Sequence, residues 1–123
     1  MFMMKFLHTA FLALALLAGA HRISNIEVKG GWVNLYDESG KKYKSLNAKT
    51  VGEIQGYSST FFVAKNGSWI LLYDAEGKKY KDLNANTIGE ILSVSGETFT
   101  SRSGAWIITW DRSGKKISSR SAR

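Results

Sequence analysis

The sequence predicts an all-β fold in which one antiparallel unit of about 37 residues recurs three times in tandem. The first observation is a tryptophan that returns at this spacing with its apolar neighbours, at Trp32, Trp69 and Trp106. The second is the sequence Asp-x-x-Gly-Lys-Lys, which follows each apolar run and is typical of a tight turn. The third is the absence of any sustained helical period of apolar residues after residue 20. We therefore expect a curled meander that resembles a barrel, a trefoil or a set of propeller blades.

The repeat spacing divides the chain into one β-repeat domain, residues 21–123, which follows an N-terminal segment. Its units are predicted at 30–66, 67–103 and 104–123, with 21–29 as a leading strand. The two complete units are expected to hold four short strands each, and the truncated last unit ends after two. Counting in this way predicts eleven strands.

The middle unit shows how each element is assigned. From Trp69 to Tyr73 every residue is apolar, which predicts a strand that is buried on both faces. A hairpin turn follows, in which Gly77 is free to adopt the left-handed backbone conformation. The chain then returns as a partly polar strand from Lys78 to Leu83. The remaining elements are a loop over 83–87 and two further strands over 88–94 and 98–102.

The repeated tryptophans allow two interpretations. Trp32, Trp69 and Trp106 are either core anchors, one in each unit, or a platform on which sugar rings stack. We favour the core, because the neighbouring positions are apolar on both faces of the strand. Three further aromatic residues on the same strand face are open to the same two interpretations: Tyr36, Tyr73 and Trp110.

The turns carry a second set of repeated anchors. These are Asp37, Asp74, Asp111, Gly40, Gly77 and Gly114. An aspartate that opens a turn accepts hydrogen bonds from the backbone ahead of it. We expect this role rather than calcium binding, because the alternating oxygen ligands of an EF-hand loop are missing. A turn of this sequence beside an aromatic strand resembles the short bacterial β-hairpin repeats of the tryptophan-glycine kind, which implies one hairpin in each unit.

Each turn ends in a pair of lysines. The pairs are Lys41/Lys42, Lys78/Lys79 and Lys115/Lys116, and Tyr43 and Tyr80 follow the first two. If the units surround an axis, the pairs gather at one end as a positive rim that is able to hold phosphate or sulfate groups. The alternative, which we favour, is that they are solvated hairpin positions that discourage edge pairing. We expect Tyr43 and Tyr80 to show an edge to solvent.

Composition excludes several kinds of catalysis. The chain has no cysteine, and its two histidines, His8 and His21, both lie near the N-terminus. Thiolate nucleophiles, cysteine-ligated zinc, and histidine-based triads or metal sites are therefore not expected. Glu53 and Glu90 form a pair of equivalent carboxylates, which the repeat itself explains without glycosidase chemistry. We predict a protein that is not an enzyme and that has no cofactor and no metal site.

The N-terminus has the features of an export signal. A short basic start precedes an apolar run over 6–17, and Ala18-Gly19-Ala20 supplies small residues before a cleavage point. The apolar run is shorter than the ~20 residues of a membrane-spanning helix. We predict a signal helix over 1–20, cleavage before His21, and no stable membrane span afterwards. A retained membrane anchor is the alternative.

Charge and export together indicate a class of function. The formal net charge is +7, and the 16 basic and 10 acidic residues after residue 20 leave +6. We predict an exported protein, periplasmic, on the cell surface or secreted, that binds a glycan, an anionic envelope polymer or a protein partner. The alternative is a structural or assembly component of the bacterial cell surface. We expect a monomer or a small closed oligomer, because charges on both end strands discourage edge pairing. Nucleic acid is not an expected partner.

Overall fold

The computed structural model describes residues 20–123, which form eleven β-strands and two one-turn helices. The strands are β1 (Asn25–Lys29), β2 (Trp32–Tyr36), β3 (Lys42–Asn47), β4 (Glu53–Tyr57), β5 (Phe61–Asn66), β6 (Trp69–Asp74), β7 (Lys79–Asn84), β8 (Glu90–Ser95), β9 (Thr98–Ser103), β10 (Trp106–Asp111) and β11 (Lys116–Ser121). The helices are α1 (Ala48–Val51) and α2 (Ala85–Ile88). The predicted signal helix lies outside the described residues, apart from Ala20.

Hydrogen bonds join the strands, in chain order, into three separate antiparallel sheets. The first sheet holds β1 to β3, the second β4 to β7, and the third β8 to β11. Because each strand pairs with the next one along the chain, every sheet is a meander. The prediction of an all-β protein with antiparallel sheets in repeated units is confirmed. The sheets change at α1 and α2, so the second and third sheets each combine strands from two successive sequence units.

Helix α2 lies where the sequence predicts a loop, over residues 83–87, and that part of the prediction is wrong. Asn84 caps this helix by accepting a hydrogen bond from the backbone N–H of Asn86 at 2.8 Å. Gly89 ends it with a φ of 87°, and a Cβ at this position would collide with the backbone carbonyl of Arg102. One turn is too short to show a helical period, which is why the sequence pattern does not indicate it.

The second sheet is the middle layer of the molecule and is buried on both faces. In β6, the four residues from Ile70 to Tyr73 are each at most 6% exposed, which confirms the predicted burial for them but not for Trp69, which is 49% exposed. Leu71 and Tyr73 belong to a core shared with the first sheet, whereas Ile70 and Leu72 belong to a core shared with the third. Their partners across the layers are Val33, Leu35 and Val51 on one side, and Ile88, Phe99, Ile108 and Trp110 on the other.

The outer face of the first sheet carries a polar network. Where the middle sheet has Leu71, the first sheet has Asn34, 37 residues earlier. The Tyr36 hydroxyl and Asn34 Nδ2 donate to Glu27 Oε1 at 2.9 and 3.2 Å. These two hydrogen bonds, with that from Tyr36 the larger cause, lower the pKa of Glu27. A further sheet packed here would have to bury a charged carboxylate, which is costly.

The outer face of the third sheet is polar as well. The middle sheet contributes Val63 and Leu72 to a core, and the corresponding residues of the third sheet are Thr100 and Thr109. These threonines pair directly across β9 and β10, and side-chain alternation along each strand turns them away from the middle sheet. Every residue of β11 is exposed. Both outer faces are therefore more polar than the faces of the middle sheet, as in the capping repeats of repeat proteins, and Ile107, the equivalent of Ile70, is an apolar residue that the third sheet keeps there.

Two tyrosines link successive layers at equivalent positions. The Tyr43 hydroxyl, on β3, donates to the backbone carbonyl of Ala75 in the turn of the middle sheet at 2.6 Å. The Tyr80 hydroxyl, on β7, donates in the same way to the carbonyl of Arg112 in the turn of the third sheet. Burial raises the pKa of Tyr43 to about 12. The next equivalent residue is Ile117, which is 55% exposed and has no further described layer to contact.

A buried serine completes the core between the second and third sheets. Ser101 is fully buried, and its hydroxyl donates to the backbone carbonyl of Ile88 at 2.6 Å. The same oxygen accepts a hydrogen bond from Trp110 Nε1 at 2.9 Å. A buried indole N–H needs such an acceptor. In the middle sheet the corresponding residue is Ala64, where the aromatic partner is Tyr73.

We expect Ser101→Ala to lower the free energy of unfolding by about 1–3 kcal/mol, because two buried polar groups lose their partner. Urea unfolding followed by circular dichroism measures this difference. Ser118→Ala, at an exposed position of β11, is the matched control and should change the free energy by less than about 0.5 kcal/mol. Equal effects of the two substitutions would contradict the role assigned to Ser101.

Candidate functional site

One side of the stack is strongly basic. Each sheet ends in an outer strand, β3, β7 or β11, and three exposed basic residues lie on each of these strands and the turn before it. They are Lys41, Lys42, Lys44, Lys78, Lys79, Lys81, Lys115, Lys116 and Arg120, and we call this set the basic side. The sequence prediction included the six turn lysines and missed Lys44, Lys81 and Arg120. These three follow the turn pairs by two or four residues, which is the spacing of side chains on one strand face.

The three turns are held by the same hydrogen bonds, as the sequence predicts for their aspartates. Asp37 Oδ1 accepts from the backbone N–H groups of Ser39 and Lys41, at 2.9 and 3.0 Å. Asp74 and Asp111 each accept the equivalent two bonds in their own turns. The glycines at the fourth position all have positive φ: Gly40 at 82°, Gly77 at 83° and Gly114 at 91°. The conformation of each lysine pair is thus set by its turn.

Serine hydroxyls strengthen two of these turns. The Ser39 hydroxyl donates to Asp37 and is the largest cause of the lowered pKa of that carboxyl. Ser113 lowers the pKa of Asp111 in the same way. Because both folded pKa values lie below the ordinary 3.8, this stabilisation is complete above pH 3.8. It is lost as the pH falls through the folded values, so the turns are fully stabilised at neutral pH.

Contacts between layers bring the basic residues into one row. A Cβ on Gly77 would lie 3.1 Å from Lys44 Cγ, so the turn of the middle sheet packs on β3. A Cβ on Gly114 would lie 3.2 Å from the Leu83 side chain, so the turn of the third sheet packs on β7. Stacked sheets lie about 10 Å apart, and two such steps give a row about 20 Å long. Tyr80 borders this row with 38% of its surface exposed, as expected.

Most cations of the basic side have no acidic partner. Within residues 20–123, the one ion pair that involves this set joins Lys79 Nζ to Asp82 Oδ1 at 3.0 Å. Both side chains are about half exposed, so the pair contributes little to stability. Equivalent basic residues of successive sheets are separated by about one sheet spacing of about 10 Å, which is close to the Debye length of about 8 Å at physiological salt, so their positive potentials overlap.

The repeated tryptophans lie at the surface, and their interpretation as core anchors is wrong. Trp32, Trp69 and Trp106 are 49%, 49% and 53% exposed. Each is the first residue of its strand and pairs with the terminal residues of its neighbours, so it lies at the end of its sheet. The aromatic residues near the other end of these strands are buried or half-buried: Tyr36, Tyr73 and Trp110.

The exposed indoles form a second row, with one member in each sheet. Trp69 begins β6, whereas the turn that carries Lys78 and Lys79 follows the end of the same strand. A strand of this length spans about 20 Å, which separates the tryptophan row from the turn lysines. A narrow ligand that lies along the stack therefore contacts either the turn lysines or the tryptophans, and Arg120, which pairs with Ile107 beside Trp106, is the member of the basic side nearest the tryptophans.

Each of the two repeated carboxylates has a basic residue as its cross-strand partner. Glu53 pairs with Lys65 across β4 and β5, and Glu90 pairs with Arg102 across β8 and β9. In the described part of the chain, no three histidine, aspartate or glutamate residues cluster in a way that suits a metal ion. Among residues 20–123, no helix has both the length and the apolar character needed to cross a membrane.

A scan against models of known protein families found no match for this chain, and a search of curated proteins also found none. Function is therefore inferred from the two rows of exposed side chains. Both rows repeat at the spacing of the sheets, so each suits an extended ligand better than a small molecule.

We expect quenching by acrylamide to distinguish Trp110 from the other three tryptophans. In four variants that each replace one tryptophan with phenylalanine, the quenchable fraction of the fluorescence should fall when Trp32, Trp69 or Trp106 is replaced. It should rise when Trp110, which is 8% exposed, is replaced. If all four replacements leave the fraction unchanged, the exposed tryptophan row does not exist in solution.

Proposed function

We propose that the protein is an exported, non-catalytic binding module whose basic side holds an anionic glycan or another anionic polymer of the cell envelope. The observation that carries this proposal is the row of nine exposed cations with a single carboxylate partner. A row about 20 Å long suits a linear chain of regularly spaced negative groups. A small anion would be held better by an enclosed site, whereas these cations stand on open strand edges.

Binding of this kind depends on charge spacing more than on the identity of a sugar. Lysine is a compact point charge on a flexible stem, so it accommodates phosphate, sulfate or carboxylate groups in several orientations. Each contact releases counterions from the polymer, and the affinity therefore falls as the salt concentration rises. The rigid turns fix the backbone position of each lysine, and the flexible side chains adjust to the positions of the anionic groups.

The exposed tryptophans favour a second candidate ligand, an uncharged glycan. Trp32, Trp69 and Trp106 each present about half of their surface to solvent, and aromatic faces stack on the apolar faces of sugar rings. Because this row lies away from the turn lysines, the two ligands give different signals. A neutral glycan protects tryptophan fluorescence from quenching and binds independently of salt. A polyanion on the basic side leaves the quenching unchanged and binds more weakly as the salt concentration rises.

Export is part of the proposal. The apolar run and Ala18-Gly19-Ala20 support cleavage before His21. Both described cores consist of residues from Ile23 onward, so cleavage at this point removes no residue of either core. Ala20 itself is exposed.

The turn lysines should account for polyanion binding together. We expect the triple variant Lys41→Gln, Lys78→Gln and Lys115→Gln to bind more weakly than the parent. The slope of log affinity against log salt should flatten by about 2, because each contact with a flexible polyanion contributes about 0.7. Titrations with heparin, polygalacturonate and poly(glycerol phosphate) compare sulfate, carboxylate and phosphate as the recognised group.

A matched control removes the same charge elsewhere. Lys29→Gln, Lys49→Gln and Lys65→Gln change three exposed lysines outside the basic side. This control should keep the affinity and the salt slope near those of the parent, and both variants should keep its thermal stability. If the two triple variants bind equally well at every salt concentration, net charge alone drives binding and the proposed site is wrong.

A further inference from the structure

The first residues after the predicted cleavage point are held firmly by the rest of the molecule. The backbone N–H of Ile23 donates to the carbonyl of Ser59 at 2.9 Å, and the Arg22 guanidinium donates to the Ser59 hydroxyl at 3.0 Å. The imidazole of His21 stacks on the ring of Tyr43, with centroids 4.0 Å apart and planes inclined by 5°. Residues 21–23 thus connect the first sheet to the loop between β4 and β5.

Two nitrogen atoms of His21 converge on one carboxylate. Its backbone nitrogen donates to Glu76 Oε2 at 2.6 Å, and its Nδ1 lies 2.8 Å from Glu76 Oε1. Partial burial is the largest single influence and raises the pKa of Glu76, but the hydrogen bonds from His21 together with the nearby charges of His21 and Lys44 lower the pKa overall. The carboxylate that receives His21 is therefore charged at neutral pH.

Comparison of the three turns shows that the turn itself does not require Glu76. The corresponding residues are Ser39 and Ser113, and the hydroxyl of each donates to the aspartate of its own turn. A charged glutamate is unable to donate such a bond, and its side chain reaches His21 instead. Glu76 therefore replaces the repeated serine in the turn that His21 contacts.

We propose that Glu76 is the binding site for an amino terminus created by hydrolysis of the Ala20–His21 peptide bond. This inference rests on the proposed export of the protein. The hydrolysis consumes one water molecule, leaves a carboxylate on Ala20, and leaves on His21 an amine that takes up a proton. The neutral N–H that now faces Glu76 is thereby replaced by an ammonium group, and the hydrogen bond becomes a stronger, charge-assisted one.

Cleavage therefore stabilises the folded chain that begins at His21. The ammonium and imidazole of His21 are both held by the turn of the middle sheet, while the ring rests on Tyr43 of the first sheet. The contact joins the first two layers at the very start of the mature chain. A terminus held in this way is also withheld from aminopeptidases, which require a free, extended end.

Three forms of the chain test the proposal by thermal unfolding. One starts at His21 with a free amine, one carries an acetyl group on that amine, and one starts at Ala20. The acetylated form keeps an N–H without the charge, and the form with Ala20 moves the charge by one residue. The free His21 form should melt about 4–8 °C above both others, as expected for one charge-assisted contact in a domain of this size.

Two carboxylate variants make the test specific. Glu76→Gln should abolish the differences among the three forms. Glu38→Gln, which removes an exposed carboxylate 3.6 Å from the Arg22 guanidinium, is the control and should preserve them. As a second readout, an aminopeptidase should release His21 several-fold faster from the Glu76→Gln protein than from the Glu38→Gln protein.

The intact mass of the protein from its native host distinguishes this proposal from the export proposal. If the chain begins at His21 but the three forms melt at one temperature, Glu76 is not the site of the terminus, and export stands. If the chain begins elsewhere, the cleavage site is wrong and this proposal is wrong with it. A start at His21 together with the predicted melting differences supports both.

Discussion

The burial of the middle sheet between its two neighbours is the constraint on which the other features depend. The residues from Phe61 to Ala64 and from Ile70 to Tyr73 are all buried, so the centres of β5 and β6 have no solvent face. A fully buried large apolar side chain contributes about 1.5–3 kcal/mol, and here that contribution exists only when all three layers are assembled. The sheets share no strand ladder, so side-chain packing and hydrogen bonds between layers, among them those of Tyr43 and Tyr80, hold them together.

This layered arrangement also produces both candidate binding rows. Equivalent residues of successive sheets lie one layer apart, so a lysine pair or a tryptophan that occurs once in each unit becomes a row along the stack. The turn lysines and the tryptophans occupy opposite ends of β2, β6 and β10, which separates a row of lysines from a row of aromatic side chains. Neither row contributes to the cores, so changes in either row leave the packing between layers intact.

Much of this fold could be predicted from the sequence, because strands and turns are local. The apolar run from Trp69 to Tyr73 indicated a strand buried on both faces, and Asp37 and its equivalents indicated the turns. The tryptophans were misjudged because their apolar neighbours suggested burial, whereas their place at the end of the sheet exposes them. The repeat indicated the six turn lysines as a rim if the units surround an axis, but it missed Lys44, Lys81 and Arg120. The alignment of the row and the bond between Glu76 and His21 depend on how layers stack, which local patterns do not contain. The sequence signal for the ends of the stack was a departure from the repeat, such as Asn34 in the first sheet where the middle sheet has Leu71.

Apolar faces join the layers, and this arrangement ends where the outer faces become polar. Light scattering of residues 21–123 over a hundredfold range of concentration tests it most directly, in the parent and in a variant carrying Glu27→Ala and Asn34→Leu. These substitutions give the outer face of the first sheet the residues that the middle sheet buries, Ala64 and Leu71. We expect a monomeric parent and a variant that associates as concentration rises. A parent that forms a growing series of polymers, or a variant that stays monomeric throughout, would contradict it.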